Sequence, residues 1–121
     1  MDKKVLIIDD NPQDRMIIQR FLKKEGFENI ITAETGEEGL SKAESENPDF
    51  VITDTMLPGI DGFEVCRQIR EKKGFEFPKV IVMTGAIDAV DAVKAKKVGA
   101  DDYCVKTSDC SPLLEAVRRL V

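Results

Sequence analysis

Phe50-Val51-Ile52-Thr53-Asp54-Thr55-Met56-Leu57-Pro58-Gly59-Ile60-Asp61-Gly62 is an apolar run that closes on an aspartate and opens into a turn. Phe50 to Asp54 lacks strict alternation of polar and apolar residues, so it reads as a strand covered on both faces, as in a parallel sheet. Pro58, Gly59 and Gly62 mark a loop. Phe63, Val65, Cys66 and Ile69 then recur at helical spacing. Strand, loop and helix form one unit, and the rest of the chain repeats it.

On either side, strands are expected at Val5 to Asp9, Asn29 to Ala33, Lys79 to Thr84 and Asp102 to Lys106. The first helix opens near Pro12, where a missing N–H costs nothing. It carries Ile17, Ile18, Phe21 and Leu22 on one stripe and stops at Gly26. Thr35 followed by Glu38 is a capping-box pattern for the second. The fourth is expected from Asp88 to Val98, stopping at Gly99, and the fifth from near Asp109, with Leu113, Leu114, Val117 and Leu120. Five strand–helix units in 121 residues specify an α/β fold. The expectation is a five-stranded parallel sheet, doubly wound with right-handed crossovers into a (βα)5, flavodoxin-like three-layer sandwich. Residues 1–121 read as one domain.

Composition narrows the function. The net charge of −5 argues against nucleic-acid binding by the domain itself, which needs a basic patch. Lys94, Lys96 and Lys97, partly offset by Asp101 and Asp102, read as a solvated helix face or a docking face. No apolar run approaches the ~18 residues of a membrane span and no signal peptide opens the chain, so a cytoplasmic location without membrane contact is expected. Cys66, Cys104 and Cys110 form neither a CxxC pair nor a metal spacing and read as structural thiols. Histidine is absent, which removes imidazole bases and any phosphohistidine of the chain's own.

In open parallel sheets ligands bind at the carboxyl ends of the strands. Those ends here are Asp9 and Asp10, Asp54, Thr84 and Lys106. Three converging carboxylates repel one another and call for a cation, and oxygen ligands beside open positions suit magnesium. Thr84 and Lys106 are donors suited to phosphoryl oxygens. A carboxylate can itself be the nucleophile and form an aspartyl phosphate.

These residues lead to a resemblance. Val5-Leu6-Ile7-Ile8-Asp9-Asp10, the D-x-x-x-P-x-x-D-G stretch from Asp54 to Gly62, Val82-Met83-Thr84-Gly85, and Gly99-Ala100-Asp101-Asp102-Tyr103 leading to Lys106 together resemble the receiver domains of two-component response regulators, CheY-like in fold. The resemblance covers the whole chain. It implies a regulatory phosphoacceptor domain, not an enzyme, that promotes its own slow phosphotransfer and dephosphorylation. Asp54 is then the phosphoacceptor. Asp10, Asp54 and the main-chain carbonyl of Met56 ligate Mg2+, with Asp9 acting through a bound water. Lys106 and Thr84 hold phosphoryl oxygens, and Tyr103 swings inward with Thr84. The implied donor is a histidine kinase or histidine phosphotransfer protein. The implied output is a partner protein, or an effector domain outside this chain, reached through the fourth helix, fifth strand and fifth helix, with Lys94, Lys97, Tyr103 and Arg118.

The chain departs from the family pattern at four places, conservatively at Leu57, where methionine is common. Thr107 stands where proline usually follows the lysine, so a trans peptide is expected there. Met56 and Ala86 stand where polar side chains often govern water attack, so slow loss of the phosphoryl group is expected. Rival readings fit less well. A phosphatase of the haloacid-dehalogenase type needs a second acid where Met56 stands. A flavodoxin-like or dinucleotide-binding protein needs a phosphate cradle where Asp9-Asp10-Asn11-Pro12-Gln13-Asp14 stands. A degenerate receiver would lack one of the five side chains that are all present. The absence of an output domain before Val121 fits a stand-alone regulator and a piece of a longer protein alike.

Overall fold

The computed structural model describes residues 3–121. Its elements run β1 (Lys4–Ile8), α1 (Pro12–Lys24), β2 (Asn29–Ala33), α2 (Gly36–Glu46), β3 (Phe50–Asp54), α3 (Gly62–Lys73), β4 (Lys79–Thr84), α4 (Ala89–Lys97), β5 (Asp102–Val105) and α5 (Ser111–Leu120). The strands form one parallel sheet in the order β2-β1-β3-β4-β5. The chain leaves β1 outward to β2, then returns past β1 to β3. Strand order therefore reverses between β1 and β3.

The pleat sorts each apolar run into two cores. Val5, Ile7, Phe50, Ile52, Ile81, Met83 and Cys104 face α1 and α5, where Ile18, Leu22, Leu113 and Val117 cover them. Leu6, Ile8, Val51, Val80 and Val82 face the other way, beneath Ala43 of α2, Phe63, Val65, Cys66 and Ile69 of α3 and Ala95 of α4. Both faces of β1, β3 and β4 are closed, which is why their sequences lack alternation.

Helix ends follow from local chemistry. Asn11 caps α1, accepting from the N–H groups of Gln13 (2.9 Å) and Asp14 (3.1 Å). Thr35 caps α2 through Glu38 N–H, while Glu38 Oε1 reaches back one residue beyond the cap, to Glu34 N–H. Asp88 caps α4, so that helix begins at Ala89. Helix α5 begins at Ser111, later than expected, because Cys110 has φ +56 and a left-handed residue cannot lie inside the helix. Strands β1 and β5 end one residue before Asp9 and Lys106. Both residues still bond onto neighbouring strands, Asp9 N–H to Ala33 O and Lys106 N–H to Thr84 O.

At the end of the sheet away from these carboxylates, Arg70 is 3% exposed. Its guanidinium donates to Gly99 O (2.8 Å), Gly74 O (3.3 Å), Pro78 O (2.6 Å) and Asp101 Oδ2 (2.8 Å), and that Asp101 oxygen also accepts from Val80 N–H. One side chain thus ties α3 to the connections that lead into β4 and β5. Asp101 is committed to Arg70 and Asp102 to Arg119, so neither pairs with the lysines of α4.

The three thiols are buried, and burial pushes Cys66 up to about 11 and Cys104 up to about 12, with Cys110 raised as well. The folded protein is expected to leave all three unlabelled by a thiol reagent at pH 8 while the urea-unfolded chain reacts fully. Fast labelling of the folded form would contradict the packing. Arg70→Met leaves Asp101 without its ion-pair partner and three carbonyls without the guanidinium, so unfolding stability is expected to drop by about 3 kcal/mol in urea melts; a change under ~0.5 kcal/mol would show the clamp to be idle.

Candidate functional site: a carboxylate cluster at the strand ends

Side-chain alternation carries one face past the end of the sheet. Asp9 continues Val5 and Ile7, Asp54 continues Phe50 and Ile52, and Lys106 continues Cys104, all on the side of α1 and α5. Strands β1 and β3 are neighbours with Ile8 opposite Thr53, so Asp9 and Asp54 stand side by side. Lys106 lies two strands from Asp54, roughly 9–10 Å of sheet, across the buried Met83. The lysine stem, the Asp54 side chain and the hydrogen bond between them together span that distance.

Lys106 Nζ donates to Asp9 Oδ2 (2.8 Å), Asp14 Oδ2 (2.9 Å) and Asp54 Oδ2 (3.1 Å). Burial alone pulls this ammonium down, but the carboxylates of Asp14, Asp9 and Asp54 outweigh it and hold it above the ordinary lysine range. Burial pushes the Asp54 carboxyl up. Lys106 pulls it partly back, Asp9 adds to the rise, and the net shift is upward. Asp9, 1% exposed, also accepts from Asn11 N–H (2.9 Å) through Oδ1. Asp10 is exposed and, among the described residues, makes no hydrogen bond or ion pair. Carboxylate oxygens of Asp9, Asp10 and Asp54 lie within 4.8 Å of one another. The donor set is all oxygen and anionic, and Asp10 has room for a ligand, so the residues fit a hard divalent cation.

The loop after β3 is shaped for this cluster. Asp61 caps α3 by accepting from Glu64 N–H (2.8 Å). Gly62 packs against the backbone of β3: a Cβ there would lie 2.0 Å from Asp54 O. Gly59 has φ +77, which side chains other than glycine's rarely adopt. Met56 N–H donates weakly to Asp54 Oδ1 (3.4 Å), and its side chain is 80% exposed at the rim.

Thr84 and Tyr103 stand one step back. Thr84 Oγ1 donates to Ala86 O (2.9 Å) and accepts from Ala86 N–H (3.3 Å), while Tyr103 Oη accepts from Asp88 N–H (3.3 Å). Both are tied to the connection between β4 and α4. A groove of about 850 Å³ runs from Asp54 and Lys106 past Thr84 to Asp61 and Lys94. Lys94 crosses it, 4.7 Å above the Phe63 ring and 3.9 Å from Asp61. The Lys106–Thr107 peptide is trans, since the only cis bond among the described residues is Phe77–Pro78. Thr107 Oγ1 instead bonds Asp109, which also accepts from Ser111 N–H.

Sequence reasoning missed Asp14 and Arg15. Arg15 donates to Asp9 O (2.7 Å) and pairs with Glu34. Both lie in the first turn of a helix that springs from the site, and that position was the available signal. Arg118 pairs with Glu25 at the end of α1, so it does not belong with α4 and β5; Arg119, bound to Asp102 at the start of β5, does.

A five-stranded doubly wound sheet with an acidic cluster and a lysine at its carboxyl edge defines a phosphoacceptor class of α/β domain. Residues 5–118 match the response regulator receiver domain family, and the chain belongs to it. It is a regulatory domain of two-component signalling. It is 42% identical over 106 residues to the alkaline phosphatase synthesis transcriptional regulatory protein PhoP of Bacillus subtilis (strain 168), covering 88% of this chain and 43% of that protein. It is 38% identical to the transcriptional regulatory protein ResD of the same organism, covering 87% and 42%. The chain thus spans less than half the length of these two relatives. Among solved structures, the response regulator TrrA of Thermotoga maritima in complex with Mg(2+)-BeF superposes with a TM-score of 0.88 at 39% identity, over 98% of this chain and 99% of that one. CheY4 of Vibrio cholerae superposes at 0.89 and 28%, over 100% of both.

Gly62→Ala is expected to lower stability by about 1–3 kcal/mol through overpacking against Asp54, although alanine is the better helix former. Gly85→Ala, with open space at its Cβ, is expected to stay within ~0.5 kcal/mol. Equal urea midpoints for the two variants would contradict the close approach.

Proposed function

We propose that residues 1–121 act as one phosphorylation switch in which Asp54 accepts a phosphoryl group from the phosphohistidine of a histidine kinase or histidine phosphotransfer protein. The observation that carries this reading is the juxtaposition of Asp54, 3.1 Å from Lys106 Nζ, with the open carboxylate of Asp10 and the buried one of Asp9.

In the transfer, an Asp54 carboxylate oxygen bonds to phosphorus while the bond from phosphorus to the donor nitrogen breaks, and that nitrogen keeps the electron pair. Burial makes Asp54 more basic and so a better nucleophile. Asp10, Asp54 and the Met56 main-chain carbonyl, with Asp9 beside them, would hold Mg2+, which would supply charge neutralisation on the transferring oxygens. Lys106 takes one phosphoryl oxygen and Thr84 another. For Thr84 to do so its hydroxyl must leave Ala86, which frees the connection that Tyr103 holds at Asp88. Two or three charge-assisted bonds gained at ~1.5–3 kcal/mol each supply the ~5.5 kcal/mol that inverts a two-state population.

The readout face is α4, β5 and α5. Helix α4 buries only Ala95 and exposes Val90 and Val93 beside Lys94 and Lys97, so it is the helix with the least packing to lose on moving. A partner protein, or an effector domain outside this chain, docks there; direct nucleic-acid binding by this acidic domain is not expected. Among the described residues no helix is long and apolar enough to cross a membrane, and the proposed setting is the cytoplasm.

Treatment with phosphoramidate is expected to add the mass of one phosphoryl group only when Mg2+ is present, and Asp54→Asn is expected to add none. A gain in Asp54→Asn, or none in the native protein, overturns the reading. Neither Met56 nor Ala86 can orient water, so the domain is expected to dephosphorylate itself slowly, and Met56→Asn should shorten the phosphoryl lifetime several-fold. Faster loss in Met56→Ala with no gain in Met56→Asn would contradict that account.

A further inference from the structure

The proposed reaction gives roles to Asp9, Asp10, Asp54, Thr84 and Lys106 and leaves Asp14 without one. Yet Asp14 lies closer to the Lys106 ammonium (2.9 Å) than Asp54 does (3.1 Å). An ammonium has three donors. All three are occupied, by Asp9, Asp14 and Asp54. A phosphoryl oxygen can gain Lys106 only if one of these carboxylates yields its share.

The three are not equally able to yield. Asp9 is buried and pinned by Asn11 N–H, and losing Lys106 would leave a charge in a dry site. Asp54 is the atom set undergoing reaction. The Asp14 side chain is 36% exposed, and among the described residues Lys106 is its one ion-pair partner. Its backbone is fixed, since Asn11 caps its N–H, while its carboxylate can return to water at low cost. Asp14 also lies outside the trio of carboxylates close enough to share a cation, so it reaches the site only through Lys106. The Asp14–Lys106 pair borders both the large groove and a small, mainly apolar recess of about 30 Å³ against Ile17, Met83 and Cys110. Lys106 is therefore held between two environments by a partner on each side.

We infer that Asp14 is a positioning residue, an exchangeable counter-anion that holds Lys106 in the unphosphorylated state and gives it up to the phosphoryl group. This rests on the receiver reading above. The consequence is a pair of effects with opposite signs. In the resting protein Asp14 offsets the charge of Lys106 and so eases the approach of a divalent cation. During transfer the same carboxylate competes for Lys106 and repels the incoming dianionic group.

The test is Asp14→Asn, with Asp14→Glu as the charge-conserving control. Titration calorimetry with Mg2+ alone, on the unphosphorylated protein, is expected to show binding weakened roughly two- to fivefold in Asp14→Asn. The rate of phosphoryl uptake from phosphoramidate at saturating Mg2+ is expected to rise by a similar roughly two- to fivefold factor. Asp14→Glu is expected to restore both values toward those of the native chain. A purely structural role, such as support of the α1 first turn, would move the thermal midpoint and shift both readouts the same way, and that result overturns the inference. Unchanged values in both experiments overturn it as well. If the native protein takes up no phosphoryl group, the receiver reading fails, while the calorimetric arm still decides whether Asp14 acts on the site through Lys106.

Discussion

One ammonium among three carboxylates sets the terms for the upper edge of this domain. Without Lys106, Asp9 would be an unpaired charge at 1% exposure, and Asp54 would face it across a single strand spacing. Carboxylates this close repel by ~1 kcal/mol per pair even in water, and by several times that where water is partly excluded. The ammonium reduces this repulsion but cannot cancel it, because Asp10 and Asp14 bring the carboxylates to four, and Arg15, which donates to Asp9 O, is itself paired with Glu34. A site left with a surplus of negative charge, and with one carboxylate that has no protein partner among the described residues, fits a divalent cation.

The two ends of the sheet are built differently. Below, Arg70 joins α3 to the connections that lead into β4 and β5 through four acceptors. Above, Thr84 and Tyr103 hold the connection from β4 to α4 by a few hydrogen bonds, and α4 adds one buried side chain. Local stability follows buried contacts, so rearrangement is easiest where they are fewest. The clamped end ties the starts of β4 and β5 together, since Asp101 holds both Arg70 and Val80 N–H.

Much of this is legible in the chain. Strands β2, β3 and β4 lie where their apolar runs predict, and the parity of those runs explains why Asp9, Asp54 and Lys106 share a face. Asp61-Gly62 is also readable once its two tasks are separated: the aspartate caps α3, and the glycine admits the Asp54 carbonyl. Side-chain partnerships are less legible, because they depend on which long side chain reaches which carboxylate. In sequence Asp14 is an ordinary first-turn acid, Arg118 and Arg119 are indistinguishable by pattern, and Arg70 is one more cation near the end of a helix. The late start of α5 comes from the left-handed Cys110, a conformation that no propensity of cysteine announces.

The most direct measurement is the position of the acyl phosphate. The phosphorylated protein is reduced with borohydride, which converts an acyl-phosphorylated aspartate to homoserine, then digested and sequenced by mass spectrometry. The structure predicts homoserine in place of Asp54 and nowhere else. Homoserine in place of Asp9, Asp10 or Asp14 would contradict the assignment of the acceptor, and with it the roles of Lys106 and its three partners.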